Sequence, residues 1–180
     1  MEPTPALTAL LVLDMQPAML PPDAAFVARV GQAIAHARAH AMPVLYVVVG
    51  FRPGAPESAP SHRPHLREVD MTQFMQIAPA LAPQPGELTI VKRRTGAFTG
   101  SDLEVVLRAL HIRHLVLAGF ATSGAVLSTV CAAADQDYEL TVLADGCLDP
   151  DPEVHQVLTT KVFPRKATVL SVADWAAGNS

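Results

Sequence analysis

Three places in the chain combine residue types that could do chemistry. Asp14 closes an apolar run, Leu10-Leu11-Val12-Leu13. A carboxylate there can serve as a turn cap, or as a general acid or base whose pKa a partly apolar pocket tunes. Lys92 closes a second run, Leu88-Thr89-Ile90-Val91. Its ammonium can pair with Asp14 and hold positive charge over a developing oxyanion. Arg93 and Arg94, which follow, read as a surface basic cluster. The third place is Gly119-Phe120-Ala121-Thr122-Ser123-Gly124-Ala125. Small residues let the backbone approach a ligand, and the start of a helix offers N–H groups to an anion. The segment lacks the Lys-Ser/Thr of a P-loop and does not match Gly-x-Gly-x-x-Gly.

The elements that must position these residues alternate along the whole chain. Short unbroken apolar runs predict strands buried on both faces. They fall at residues 6–13, 44–49, 87–92, 114–119, 139–143 and 167–170. Helical periodicity predicts helices over about 23–41, 101–110, 122–134 and 152–162, and a short one near 71–82. Asp23 reads as an N-cap, Ser101 with Glu104 as a capping box, and Trp175 as the anchor of a terminal turn. Residues 50–71, rich in Pro, Gly and Ser, read as a long functional loop. The expected fold is therefore α/β: one domain over 1–180, a three-layer Rossmann-like sandwich. It has about six mainly parallel strands with helices on both faces. In such sheets the site lies outside the carboxyl ends of the strands. All three places fall there.

Composition narrows the function. The 180 residues are 50% hydrophobic, with net charge −4 and mean hydropathy +0.28. A sizeable core is affordable. Charged residues make up only 17%, against a usual ~25%, which hints at buried subunit contacts. No basic run interleaves with aromatics, so a nucleic-acid reader is not expected. No apolar run approaches the ~20 residues of a membrane span. Met1-Glu2-Pro3-Thr4 lacks the positive region of a secretory leader. Two cysteines, Cys131 and Cys147, make neither a disulfide framework nor a zinc site. A reduced, cytoplasmic protein is expected.

Taken together, the motifs resemble the isochorismatase-like cysteine hydrolases, a family that includes isochorismatases, nicotinamidases and N-carbamoyl-amidases. The resemblance rests on three stretches. They are Leu11-Val12-Leu13-Asp14-Met15-Gln16, Val91-Lys92-Arg93-Arg94-Thr95-Gly96-Ala97-Phe98, and Gly119 through Thr129. Ala132 through Val142 and Ala144-Asp145-Gly146 add to it.

The resemblance implies that Asp14 is the catalytic aspartate and Lys92 the catalytic lysine. Most amide-cleaving relatives carry a nucleophilic cysteine six residues after the glycine of Gly-x-x-Thr; that position here is Ala125. A methyl group cannot form a thioester. Isochorismatases proper also lack the cysteine and cleave a vinyl ether with the aspartate as acid. Cys131 lies about 9 Å along and roughly 240° around a helix from Ala125, so it cannot replace the thiol. Cys147 follows the fifth strand and could approach the pocket, though both cysteines read first as small apolar residues.

Gln16, Phe98, Ala121 and Thr122 are the expected substrate contacts, with backbone N–H groups near Ala121 and Ala125 as an anion cradle. Nicotinamidases bind a metal through an Asp and two His. Here His62 and His65 lie in the corresponding loop without an Asp-x-His pattern, so no metal and no cofactor are expected. The implied activity is hydrolysis of a small carboxylate-bearing metabolite. A non-catalytic small-molecule binder is the alternative, and a nicotinamidase- or N-carbamoyl-amidase-type amidase comes third. A homo-oligomer, dimer or tetramer, is expected. By the same resemblance the Phe120–Ala121 peptide should be cis. The dyad makes a geometric prediction: Asp14 and Lys92 should lie within ~6 Å, the range of strong charge coupling.

Overall fold

The computed structural model describes residues 7–59, 61, 63–66 and 68–178. Its sheet follows from the apolar runs. Strands β1 (Leu7–Leu13), β2 (Val44–Val49), β3 (Leu88–Lys92), β4 (Ile112–Phe120), β5 (Glu139–Leu148) and β6 (Thr168–Leu170) stand in the order β3-β2-β1-β4-β5-β6. Every neighbouring pair is parallel. β1 pairs with both β2 and β4, and the chain reverses its direction of winding between β1 and β4. That reversal is the switch point where α/β sheets bind ligands.

Both faces of the sheet are covered, which is why its strands do not alternate polar with apolar. On one face Leu10, Val12 and Tyr46 meet Phe26, Val30 and Ile34 of α1 (Ala24–Ala39), with Trp175 at the edge. On the other, Leu11, Leu13 and Val47 meet Leu103 and Leu107 of the helix that follows β3, and Val130 and Ala133 of the helix after β4. Asp23 caps α1 as expected, accepting from the Phe26 N–H at 2.8 Å.

Several boundaries differ from the sequence reading. Among its described residues, the long loop after β2 contains a short helix, α2 (Arg63–Leu66). The helix expected over 71–82 divides into α3 (Met71–Phe74) and a 3₁₀ turn, Pro79–Leu81. Pro79 excludes helical geometry from Ala78, which is extended at φ −50° and ψ 127°. The Ala78 N–H donates instead to the Met15 carbonyl. The capping box does not form. The helix begins two residues later as α4 (Leu103–Ala109), and the Ser101 hydroxyl bridges the Ala97 carbonyl and the Leu103 N–H. The helix after β4 opens with a wide π turn, Thr122–Val126, before α5 (Leu127–Ala134). β5 continues five residues beyond Leu143, because a bulge restores pairing of Cys147 with Gly119. The helix after it, α6 (Pro152–Val157), relaxes into a second π turn, Leu158–Val162. The terminal turn around Trp175 is α7 (Val172–Ala176).

Gly119 is required where β1 and β4 touch. Its φ is 138°, and a Cβ there would meet the Leu13 carbonyl oxygen at 2.1 Å. Gly124 has only ordinary contacts, the nearest at 3.8 Å. We therefore expect Gly119→Ala to destabilise the fold by about 3 kcal/mol or more, adding backbone strain to overpacking. Gly124→Ala should cost less than ~1 kcal/mol or stabilise slightly. Urea unfolding of both variants measures the difference.

Candidate functional site

β1 ends at Leu13, and Asp14 turns the chain there in a left-handed conformation, φ 51°. Asp tolerates that region better than most residues. β3 ends on Lys92. The Lys92 ammonium passes the end of the intervening β2 and meets Asp14 Oδ2 at 2.7 Å, inside the expected limit. Lys92 is fully buried and the Asp14 side chain is 6% exposed. The ammonium also donates to the Thr95 carbonyl at 2.5 Å. Asp14 Oδ1 has no hydrogen-bond partner among the described residues. Burial drives the Asp14 carboxyl from 3.8 up to about 6, against the opposing pull of Lys92. Burial also lowers the Lys92 pKa, opposed by Asp14.

A cavity of about 360 Å³ opens above this pair. Asp14, Lys92, Ala121 and Ala125 line it, together with Gly124. So do Met19, Val49, Phe51, Ser58, Phe120, Arg93, Arg94 and Thr95. Sequence reasoning singled out the first four. Met19, Phe51 and Ser58 arrive from loops and carry no motif. Arg93 and Arg94, expected as surface charge, also line the cavity, and their adjacency to Lys92 is the sequence signal for it.

Three expected contacts lie elsewhere. Gln16 is fully buried but clamps β2: its amide accepts from Val49 N–H at 2.7 Å and donates to Val49 and Phe74 carbonyls at 3.1 and 2.7 Å. Phe98 rests on Tyr138, ring centroids 6.0 Å apart. Thr122 is buried, its hydroxyl 2.8 Å from His155 Nδ1. Cys147 does not line the cavity either. It is buried beside the Leu117 carbonyl, and burial pushes its thiol up to about 12.

The Phe120–Ala121 peptide is cis. After it, Gly124 and Val126 N–H groups both donate to the Ala121 carbonyl, and the Ser123 N–H donates to Asp149 Oδ2 at 2.7 Å. Thr129 ties this turn to the segment after β3: its hydroxyl donates to the Ala125 carbonyl and accepts from the Ala97 N–H. Ala125 is thus held at the first turn of a helix, 3% exposed, with its methyl group in the cavity wall.

His65 is exposed on α2, and His62 lies outside the described residues. Among the described residues no group of three or more His, Cys, Asp or Glu side chains could hold a metal ion. Nor is any described helix long and apolar enough to cross a membrane.

Known proteins match this arrangement. The isochorismatase domain family model matches residues 8–174. The chain is 34% identical over 175 residues to the "Uncharacterized isochorismatase family protein YecD" of Escherichia coli O157:H7, covering 93% of each chain. It is 31% identical over 183 residues to the ureidoacrylate amidohydrolase RutB of Caulobacter vibrioides strain ATCC 19089, covering 84% of this chain and 81% of that one. Among solved structures, an isochorismatase family protein from Burkholderia thailandensis superposes with a TM-score of 0.84 at 28% identity. That superposition covers 96% of this chain and 95% of the other.

The buried pair predicts an asymmetry. Lys92→Met leaves a buried carboxylate alone and Asp14→Ala leaves a buried ammonium alone, so each should cost about 3–5 kcal/mol. The double variant removes both charges and should cost less than the two single losses added. A double-mutant cycle by urea unfolding tests this.

Proposed function

The chain belongs to the isochorismatase family and is a hydrolase, and from that premise we propose that it hydrolyses a small carboxylate-bearing metabolite without a covalent enzyme intermediate. The observation that carries this reading is the pairing of Asp14 with Lys92 in the floor of a cavity whose nucleophile position is a methyl group, Ala125. A methyl cannot attack a carbonyl, so water must. In this mechanism Asp14 takes a proton from that water and passes it to the leaving group. A carboxyl poised near 6 suits both halves of that task at neutral pH. Lys92 orients Asp14 and stabilises the oxyanion that forms. Backbone N–H groups near Ala121 and Ala125 complete the cradle, those of Ser123 and Gly124 being already engaged by Asp149 and the Ala121 carbonyl.

The likeness to RutB supports an amide or ureido compound as substrate, cut at its C–N bond. The cavity volume, about 360 Å³, supports a small one, near the lower end for ligand pockets.

A screen of small amides and ureido acids with the purified protein tests the reading. Asp14→Asn keeps an oxygen for Lys92 to donate to, and should lower kcat/KM by about 10²–10⁴-fold. The base must be ionised to accept a proton, so kcat/KM should rise as pH climbs through about 6 and level off above it. A profile that falls through that range would reverse the proton's direction and make Asp14 the initial acid.

Ala125→Cys probes the position directly. A thiol at the start of a helix, in a wall shared with an ammonium, favours the thiolate. We expect it to be alkylated faster than Cys131 and Cys147, with an acyl adduct visible by mass spectrometry on a small amide. Labelling no faster than an ordinary exposed cysteine would contradict the proposed role of this turn.

A further inference from the structure

Three cationic side chains line the cavity, and they are not equivalent. Lys92 is neutralised by Asp14 at 2.7 Å. Arg93 is turned toward the loop after β2: its Nη1 donates to the Gly50 carbonyl at 2.7 Å, and its Nε lies 3.7 Å from Glu57 Oε1. Glu57 is itself held by the Arg52 N–H at 2.9 Å, so this link is part of the loop's own structure. Arg94 is different. It is exposed, it lines the cavity, and it has neither hydrogen bond nor ion pair within the described protein.

We propose that Arg94 is the specificity-determining anchor of the cavity, and that it holds the carboxylate of the substrate by a bidentate guanidinium contact. The inference rests on the cavity being the substrate site and adds which residue selects the substrate and by what group. Asp14 offsets Lys92, and Glu57 lies beside both Arg93 and Arg52, the latter outside the cavity lining; of the three cations that line the wall, Arg94 alone has no carboxylate beside it among the described residues. One guanidinium balances one carboxylate; a phosphate dianion would keep a charge without a partner. The rest of the wall favours a slender organic body between the two poles, because Met19, Val49, Phe51, Phe120, Ala121 and Ala125 offer apolar surface. A guanidinium's planar fork matches a carboxylate, and a charge-assisted pair of this kind outweighs a neutral hydrogen bond. Because Arg94 is already solvated at the rim, engaging it does not require a buried charge to be created. The same arrangement orients the ligand: with its carboxylate on Arg94, the other end points into the cavity that Asp14, Lys92 and Ala125 line.

Calorimetric titration with succinamate and with succinamide, with the heat of any hydrolysis measured separately and subtracted, tests the anchor by binding and not by rate. The two probes have nearly the same shape and differ in one carboxylate. We expect the unmodified protein to bind succinamate at least tenfold tighter than succinamide. Arg94→Gln should erase that preference, and Arg94→Lys, which keeps the charge but loses the fork, should retain part of it. Melting curves check that both variants are folded, as the exposed, unpartnered side chain predicts. Equal binding of the two probes, binding of neither, or a preference that survives in Arg94→Gln overturns the proposal. So does inorganic phosphate that binds more tightly than succinamate. If Arg94 behaves as expected while Asp14→Asn turns over substrate as fast as the unmodified protein, the anchor stands and the hydrolytic mechanism fails. The opposite pattern leaves the mechanism and removes the anchor.

Discussion

Two opposite charges 2.7 Å apart and almost out of water are the constraint around which the carboxyl edge of this sheet is arranged. Taking each ion out of water costs several kcal/mol, and the attraction repays this only if the geometry is held tightly. Asp14 follows β1 and Lys92 ends β3, two strands away, so the lysine must cross roughly 10 Å of sheet. The register allows it. Val47 lies opposite Leu13 and Val49 opposite Lys92, so β2 ends level with the ammonium's path. Gln16 then secures the crossing. By binding both the N–H and the carbonyl of Val49 it fixes the segment after β1 to the end of β2 and satisfies two backbone groups there. The Thr95 carbonyl takes another of the ammonium's protons, folding the segment after β3 back over the charge. That fold-back brings Arg93 and Arg94 to the cavity wall.

The turn after β4 answers a different constraint, close approach. Gly119 lets β4 lie against Leu13, and the carbonyl of Ala121 collects two N–H donors from the turn that follows. Thr129 joins this turn to Ala97, so the segments after β3 and β4 are linked by one buried hydroxyl. Asp149, after β5, takes the Ser123 N–H. Three strand ends thus share a hydrogen-bonded frame. Positions such as Ala125 are set by residues that never touch the cavity.

Much of the fold was legible because burial on both faces leaves a simple mark: unbroken apolar runs separated by amphipathic helices. Asp14 and Lys92 stood out for the same reason, as charges at the ends of runs that otherwise exclude charge. What the runs could not convey was direction. Gln16 lies two residues from Asp14, yet the left-handed turn at Asp14 changes the chain's course and sends the Gln16 amide to β2. Phe98 sits within a motif but rests on Tyr138, a contact across 40 positions of sequence. Met19, Phe51 and Ser58 reach the cavity through loop geometry that no periodicity encodes. Arg94 is exposed, as the expectation of a surface charge requires, and it also lines the cavity. Its distinction from Arg93 depends on Glu57, 37 positions away, which engages one arginine and not the other.

Asp14 carries the last consequence of the buried pair. Lys92 takes Oδ2, and Oδ1 is left without a partner among the described residues. Burial sets the pKa. Desolvation outweighs the ion pair with Lys92 and carries the carboxyl up to about 6. Under the proposed mechanism these two facts are one. The oxygen that Lys92 does not take is the oxygen that can receive a proton, and burial gives the carboxyl the affinity to hold that proton at near-neutral pH. A better-solvated aspartate would be more stable and too acidic for the task. The pair is kept together by Lys92, which is itself buried and donates to the Thr95 carbonyl.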